Sequence, residues 1–230
     1  MEKQIIEMFK LQDTLNKKTS GDNWKLGVTN KGKIINWRRC IYMELAEAID
    51  SVSWKHWKNI DGGIDYENFK VELIDIWHFL MSELLRFYSI DELVILVTKY
   101  SKIKSNIKLP INWKKENNTQ IDDILEPYEN LMALSLLKID DKDYLESLIE
   151  SFFICLDSAG ISFDGLYKLY IGKNVLNKFR QDHGYKEGVY IKIWNGEEDN
   201  VVMQKIIENT LGFDEIYTEL EEVYSKFSKI

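Results

Sequence analysis

Two acidic pairs constrain this chain more than any other feature: Glu44 with Glu47, and Glu72 with Asp75. Each pair has i, i+3 spacing, so on a helix its two carboxylates share one face. Their neighbours are apolar, in Tyr42-Met43-Glu44-Leu45-Ala46-Glu47-Ala48-Ile49 and Val71-Glu72-Leu73-Ile74-Asp75-Ile76-Trp77. A solvated acidic face normally alternates with Lys and Arg. Ionised groups on greasy helices are costly without compensation. Hard divalent cations such as Mg²⁺ supply it, because they take oxygen ligands. One E-x-x-E is common by chance in a Glu-rich helix, but two on neighbouring apolar helices point to a metal centre between them. Two antiparallel helices that each offer two carboxylates can hold two Mg²⁺ ions ~3.5–4 Å apart, the arrangement used for phosphoryl chemistry.

Bulk properties narrow the classes that remain. The 230 residues are 45% hydrophobic, with only 2 prolines and 12 glycines, which favours long helices over a loop-rich β fold. The net charge of −8 disfavours a general nucleic-acid binder, since neutralising phosphates needs a basic surface. A metal-dependent nuclease is disfavoured on the same ground. Cys40 and Cys155 are the only cysteines, too few for a disulfide framework or a Cys-rich zinc site, which suits a reducing, cytoplasmic setting. The opening Met1-Glu2-Lys3-Gln4 begins an amphipathic stretch and does not read as a signal peptide. No apolar run approaches the ~18 residues of a membrane span.

Periodicity predicts an all-α helical bundle, read as a single domain over 1–230, with helices at 2–17, 37–53, 66–88, 91–100, 121–138, 142–158, 163–182, 199–210 and 213–229. Loops are expected at 18–36, at Asp61-Gly62-Gly63, over the Lys/Asn-rich stretch 101–120 and at Gly184-Tyr185-Lys186-Glu187-Gly188. The segment between the acidic pairs is long enough for the chain to reverse, so their helices are expected to face each other antiparallel.

Other residues suit a small anionic ligand. Lys173, Asn177, Arg180 and Gln181 share one helical face, and the loop beyond adds Tyr185 and Lys186. Such a set suits phosphate oxygens, although a solvated basic face would look the same. Gln12 and Asn16 stand at i, i+4 on the first helix, and carboxamides carry the donor and the acceptor that reading a pyrimidine edge requires. Trp37, Trp54 and Trp57 can stack on a base or simply fill core. His78, three residues after Asp75, can meet a sugar hydroxyl or close the edge of the core. No P-loop, dinucleotide fingerprint or nucleophile elbow is present.

Longer runs carry a family resemblance. Asn36-Trp37-Arg38-Arg39-Cys40-Ile41-Tyr42-Met43-Glu44-Leu45-Ala46-Glu47, Trp54-Lys55-His56-Trp57-Lys58-Asn59, Glu72-Leu73-Ile74-Asp75-Ile76-Trp77-His78-Phe79 and Tyr170-Ile171-Gly172-Lys173-Asn174-Val175-Leu176-Asn177-Lys178-Phe179-Arg180-Gln181 resemble the dimeric, all-α dUTPases. So does Trp194-Asn195-Gly196-Glu197-Glu198-Asp199-Asn200. The likeness is closest to the form in Campylobacter-type bacteria and spans roughly 9–229, with little of it in 98–140. It implies a cytoplasmic homodimer that binds two or more Mg²⁺ ions and hydrolyses dUTP, with dUDP as a further substrate. A dCTPase or a broader nucleotide pyrophosphatase with the same metal site is the alternative.

Carried over residue by residue, the resemblance makes Glu44, Glu47, Glu72 and Asp75 the metal ligands, one carboxylate of the first pair also orienting the attacking water. Gln12 and Asn16 become the uracil readers, with Trp57 and His78 beside the base and deoxyribose. Lys173, Asn177, Arg180, Tyr185, Lys186 and Asn200 become the sugar and phosphate contacts. Asp182 departs from the pattern, being an acid where a neutral or basic residue better suits phosphate.

Overall fold

A computed structural model describes residues 1–58, 62–109 and 121–227. The expected excursion at 101–120 therefore lies partly outside the described residues, as does Asp61 of the expected turn. Helices are α1 (Glu2–Ser20), α2 (Trp37–Asp50), α3 (Tyr66–Leu84), α4 (Ile90–Tyr100), α5 (Ile121–Leu136), α6 (Lys142–Ser158), α7 (Phe163–Asp182), α8 (Asp199–Asn209) and α9 (Phe213–Tyr224). Among the described residues the only sheet is a hairpin of two-residue strands, β1 (Ile193–Trp194) and β2 (Glu197–Glu198). The protein is thus an all-α helical bundle. By contact it divides into two compact units, Met1–Phe163 and Asp164–Ile230.

Helix starts in the first unit carry their own chemistry. Asn36 accepts a hydrogen bond from the Arg39 amide and caps α2, and Asp65 does the same for α3 through Asn68. Ser89 and Glu92 form a reciprocal capping box on α4. The link between α2 and α3 closes as a hairpin: Val52 bridges Ile64, the Ser53 amide donates to the Gly63 carbonyl and the Asp65 amide to the Ser51 carbonyl. The end of α2 is thereby tied to the start of α3, and the two helices pack along their length, antiparallel as expected. α3 is the most deeply buried helix, touching α1, α2 and α6. Trp77 is its central core residue, stacked on Phe152 at 4.9 Å and edge-on to Phe9 at 6.0 Å.

A buried ion pair fastens the other end of this hairpin. Arg38 on α2 donates to Glu83 on α3 at 2.8 Å and to the carbonyls of Leu137 and Ile139 after α5. Arg86 takes the second Glu83 oxygen at 2.8 Å. Every charge in this group has a partner, which a buried ion requires.

In the second unit, α7 and α8 approach closely because residue 172 is glycine. A Cβ there would lie 2.6 Å from the Met203 sulfur and 2.7 Å from an Ile207 methyl. The β hairpin turns through Asn195 (φ 54) and Gly196 (φ 83), the positive-φ pair that a tight two-residue loop needs. Phe179, Trp194 and Tyr224 pack as the aromatic centre of this unit.

Candidate active site

Three carboxylates converge where α2 faces α3. Glu44, Glu72 and Asp75 each offer an oxygen within 4.8 Å of the others. Glu72 is 7% exposed, while Glu44 and Asp75 are half-buried. Burial, the Asp75 charge, a hydrogen bond to Glu72 and the other carboxylates together push the Glu44 carboxyl up to about 8. The cluster without a counter-ion therefore holds a proton at neutral pH. Oxygen-only donors with surplus negative charge in a partly dry cleft fit a hard divalent cation, which can replace that proton.

Glu47, expected as the fourth member, is exposed and outside this triad. It lines a cavity of ≈ 370 Å³ with Asp50, Ser51, Asp65 and Asn68, beside the α2–α3 link. Positions i and i+3 on a helix differ by about 60° in direction. Glu44 thus turns inward and Glu47 outward from one shared side.

The raised Glu44 carboxyl sets a pH dependence. A folded-state value near 8 against 4.5 unfolded means the folded protein holds the extra proton between those limits. In metal-free protein the Glu44 contribution to stability therefore falls as pH rises from about 4.5 to 8. Glu44→Gln keeps the hydrogen-bonding shape without the titration. In EDTA, its stability relative to wild type is expected to climb across that window by on the order of 1–2 kcal/mol, allowing for solvent screening. Thermal melts at pH 5, 7 and 8.5 read this directly. A difference that stays flat with pH removes the like-charge cluster as the cause.

One to two turns further along α3, a polar network replaces core packing. The stripe of α1 that faces inward runs Ile5, Met8, Phe9, Gln12, Asn16, so two amides occupy apolar positions, each 3% exposed. Gln12 Nε2 donates to Asn16 Oδ1 at 3.1 Å and to Ser82 Oγ at 3.0 Å. Asn16 Nδ2 donates to Ser82 Oγ at 2.9 Å. Gln12 Oε1 lies 2.7 Å from His78 Nδ1, so that ring nitrogen carries the proton, a carbonyl oxygen having none to give. Gln12, Asn16 and His78 are thus brought together where α1 packs on α3. Trp57 stands apart on the loop after α2, 65% exposed, against Trp54 and His56. Trp37 is core, stacked on Phe79.

The basic set lies in the second unit. Lys173 and Arg180 are buried, so the α7 face is not simply solvated. Both donate to Asn200 Oδ1, at 2.9 Å and 3.3 Å. Asn177 accepts from Arg180 at 3.4 Å. Tyr185 and Lys186 are exposed on the following loop, and the Tyr185 ring lies 5.8 Å from the Arg180 guanidinium. Asp182 is also exposed and is tied to Lys178 and Tyr217.

Sequence reasoning missed the anchor of this group, Asp199. It is 1% exposed and accepts Arg180 Nε at 2.8 Å and Nη2 at 2.7 Å, with the Tyr190 hydroxyl at 2.8 Å on the Nε-bonded oxygen. Burial and that carboxylate keep the Tyr190 phenol well above its usual titration range. The only sequence signal is an acid at the first position of a helix that follows an Asn-Gly turn.

Three carboxylates converging between the antiparallel helices of an all-α bundle define a candidate centre for metal-assisted phosphoryl chemistry. A family model described as dUTPase matches residues 4–185, so the chain belongs to the all-α dUTPase family and its activity is that of a dUTP diphosphatase. The match covers the acidic hairpin, the amide network and α7. No curated protein matches the chain significantly. Among the described residues no helix is long and apolar enough to cross a membrane.

Proposed function

We propose that this dUTPase depends on Mg²⁺, with two or more ions held by Glu44, Glu72 and Asp75, and with Glu47 beside them. The convergence of three oxygen donors within 4.8 Å carries the reading. When bound, the metal neutralises polyphosphate charge and lowers the pKa of water. One carboxylate of the Glu44/Glu47 pair orients the attacking water and takes its proton. Glu72, the most buried of the four, holds the charge density of the cluster in place from α3. Gln12 and Asn16 read the uracil edge, His78 holds Gln12 and borders the deoxyribose, and Trp57 borders the base. Lys173, Asn177, Arg180, Tyr185, Lys186 and Asn200 supply the cations, amides and phenol for sugar and phosphate.

The reaction is dUTP + H₂O → dUMP + pyrophosphate, and dUDP + H₂O → dUMP + phosphate on the same machinery. Water is the nucleophile, and no covalent intermediate is required. A homodimer in the cytoplasm is the expected form of the enzyme, and sedimentation analysis tests the dimer. Product analysis by ion-exchange chromatography on dUTP, dUDP, dCTP and dTTP with Mg²⁺ tests the reading as a whole. The expected result is dUMP from both uridine nucleotides, and little product from dCTP or dTTP. Equal turnover of dUTP and dCTP overturns uracil selectivity in favour of a broader pyrophosphatase.

A further inference from the structure

Ser82 lies one turn after His78 on α3 and is fully buried. Its hydroxyl donates to the His78 carbonyl at 2.8 Å. A hydroxyl has one proton, so once it is given to the main chain, Oγ can only accept. It accepts from both amides, Gln12 Nε2 at 3.0 Å and Asn16 Nδ2 at 2.9 Å. A backbone carbonyl never donates, so the polarity of the network is fixed from the main chain outward. Both NH₂ groups must face Ser82 and both carbonyl oxygens must face away. Turning either amide over would set its oxygen against Oγ, which could meet it only by withdrawing its proton from the His78 carbonyl, so the flip costs a buried hydrogen bond.

We infer that Ser82 is a positioning residue for base selection: with the Gln12–Asn16 bond, it opposes the amide flip that would let this pair accept cytosine in place of uracil. This rests on the reading of that pair as the base-recognition groups. Asn16 spends one amide proton on Ser82 and one lone pair on Gln12, which leaves one proton and one lone pair for a base edge. Uracil offers a donor at N3 beside an acceptor at O4, which matches. Cytosine offers an acceptor at N3 beside a donor at N4, so both contacts are reversed. A flip would repair both at once, and Ser82 withholds it. The methyl group of thymine is a matter of space, on which the orientation of the amides has little bearing.

The test compares kcat/KM for dUTP, dCTP and dTTP in wild type, Ser82→Ala and Ser82→Thr, with melting temperature as the fold check. In Ser82→Ala the dUTP/dCTP ratio is expected to fall about tenfold or more, while the dUTP/dTTP ratio moves less than about threefold. Ser82→Thr keeps the hydroxyl and is expected to retain the wild-type dUTP/dCTP ratio. A folded Ser82→Ala protein with an unchanged dUTP/dCTP ratio overturns the inference, as does an equal fall in both ratios. Should Ser82→Ala not fold, Ser82→Cys, a near-isostere with a weak acceptor, is expected to lose the ratio that Thr keeps, and equal ratios in Cys and Thr overturn the inference. Wild-type protein that hydrolyses dUTP and dCTP alike removes the base reading itself, and is distinguishable because it needs no variant.

Discussion

Glu72→Gln is expected to lower kcat/KM for dUTP by about 10³-fold or more while leaving the helical fold intact. Glu72 is the most buried carboxylate of the triad and is hydrogen-bonded to Glu44. On the proposed reading, neutralising it removes a metal ligand and a full charge where several kcal/mol of phosphate-charge stabilisation would originate, and each ~1.4 kcal/mol is tenfold in rate. The same change relieves a like-charge contact, so metal-free Glu72→Gln is expected to melt at or above the wild-type temperature. Loss of activity with retained or raised stability is hard to obtain from a damaged core. Glu47→Gln is expected to lose activity as well, but without the gain in stability, since Glu47 is exposed and outside the cluster. Steady-state kinetics and melting curves on both variants make the comparison. Wild-type turnover by Glu72→Gln would contradict the assignment of this cluster to the chemistry.

Arg180→Ala is expected to cost both stability and activity, and the two costs can be separated. Arg180 holds Asp199 through two parallel bonds in a buried pair. Removing the arginine strands a carboxylate that is 1% exposed, a loss of about 3–5 kcal/mol of stability for a broken buried pair. Loss of a charge-assisted phosphate contact is expected to remove a further 2–4 kcal/mol or so from catalytic efficiency. The double change Arg180→Ala with Asp199→Ala removes both charges, and is expected to regain stability but not activity. Arg180→Lys keeps the charge without the fork and is expected to fall between. Thermal denaturation and kcat/KM across the three proteins decide it. If the double variant turns over dUTP normally, Arg180 is a structural partner of Asp199 and not a phosphate ligand.

The acidic hairpin was legible because the signal is local. Two i, i+3 pairs in apolar runs, with Gly62-Gly63 between them, define two helices and a reversal without any knowledge of distant contacts. That Gln12 and Asn16 share a face was legible from their i, i+4 spacing, whereas their burial on the inward stripe of α1 was not. Helix ends differ by a few residues from the expected ones: α3 ends at Leu84 and not at 88, with no glycine to mark its end, while α1 runs on to Ser20, where Gly21 (φ 94) stops it. A short 3-10 turn at Asp22–Leu26 occupies part of the expected loop, burying Trp24. The Asn195-Gly196 turn is strong hairpin chemistry and was there to be read.

What stayed hidden depends on tertiary pairing. Serine in the last turn of a helix is neutral as a local signal, and Ser82 gains its meaning only when α1 sets two amides against it. Arg38 and Glu83 are far apart in the chain, and each alone reads as an ordinary surface charge. Asp199 reads as a routine acid in the first turn of a helix, where it suits the helix dipole. Its role appears only when the Gly172 contact brings α8 down on α7. The i, i+3 rule, applied to Glu44 and Glu47, correctly gave one side of α2 but not which of the two faces its partners on α3.

Calorimetric titration of Mg²⁺ into EDTA-treated protein, alone and with the non-hydrolysable α,β-imido analogue of dUTP, tests the carboxylate centre most directly. Saturable binding that strengthens with the analogue, and that is lost in Glu72→Gln, is the expected result. Absence of Mg²⁺ binding under both conditions, or binding that Glu72→Gln leaves unchanged, would contradict it.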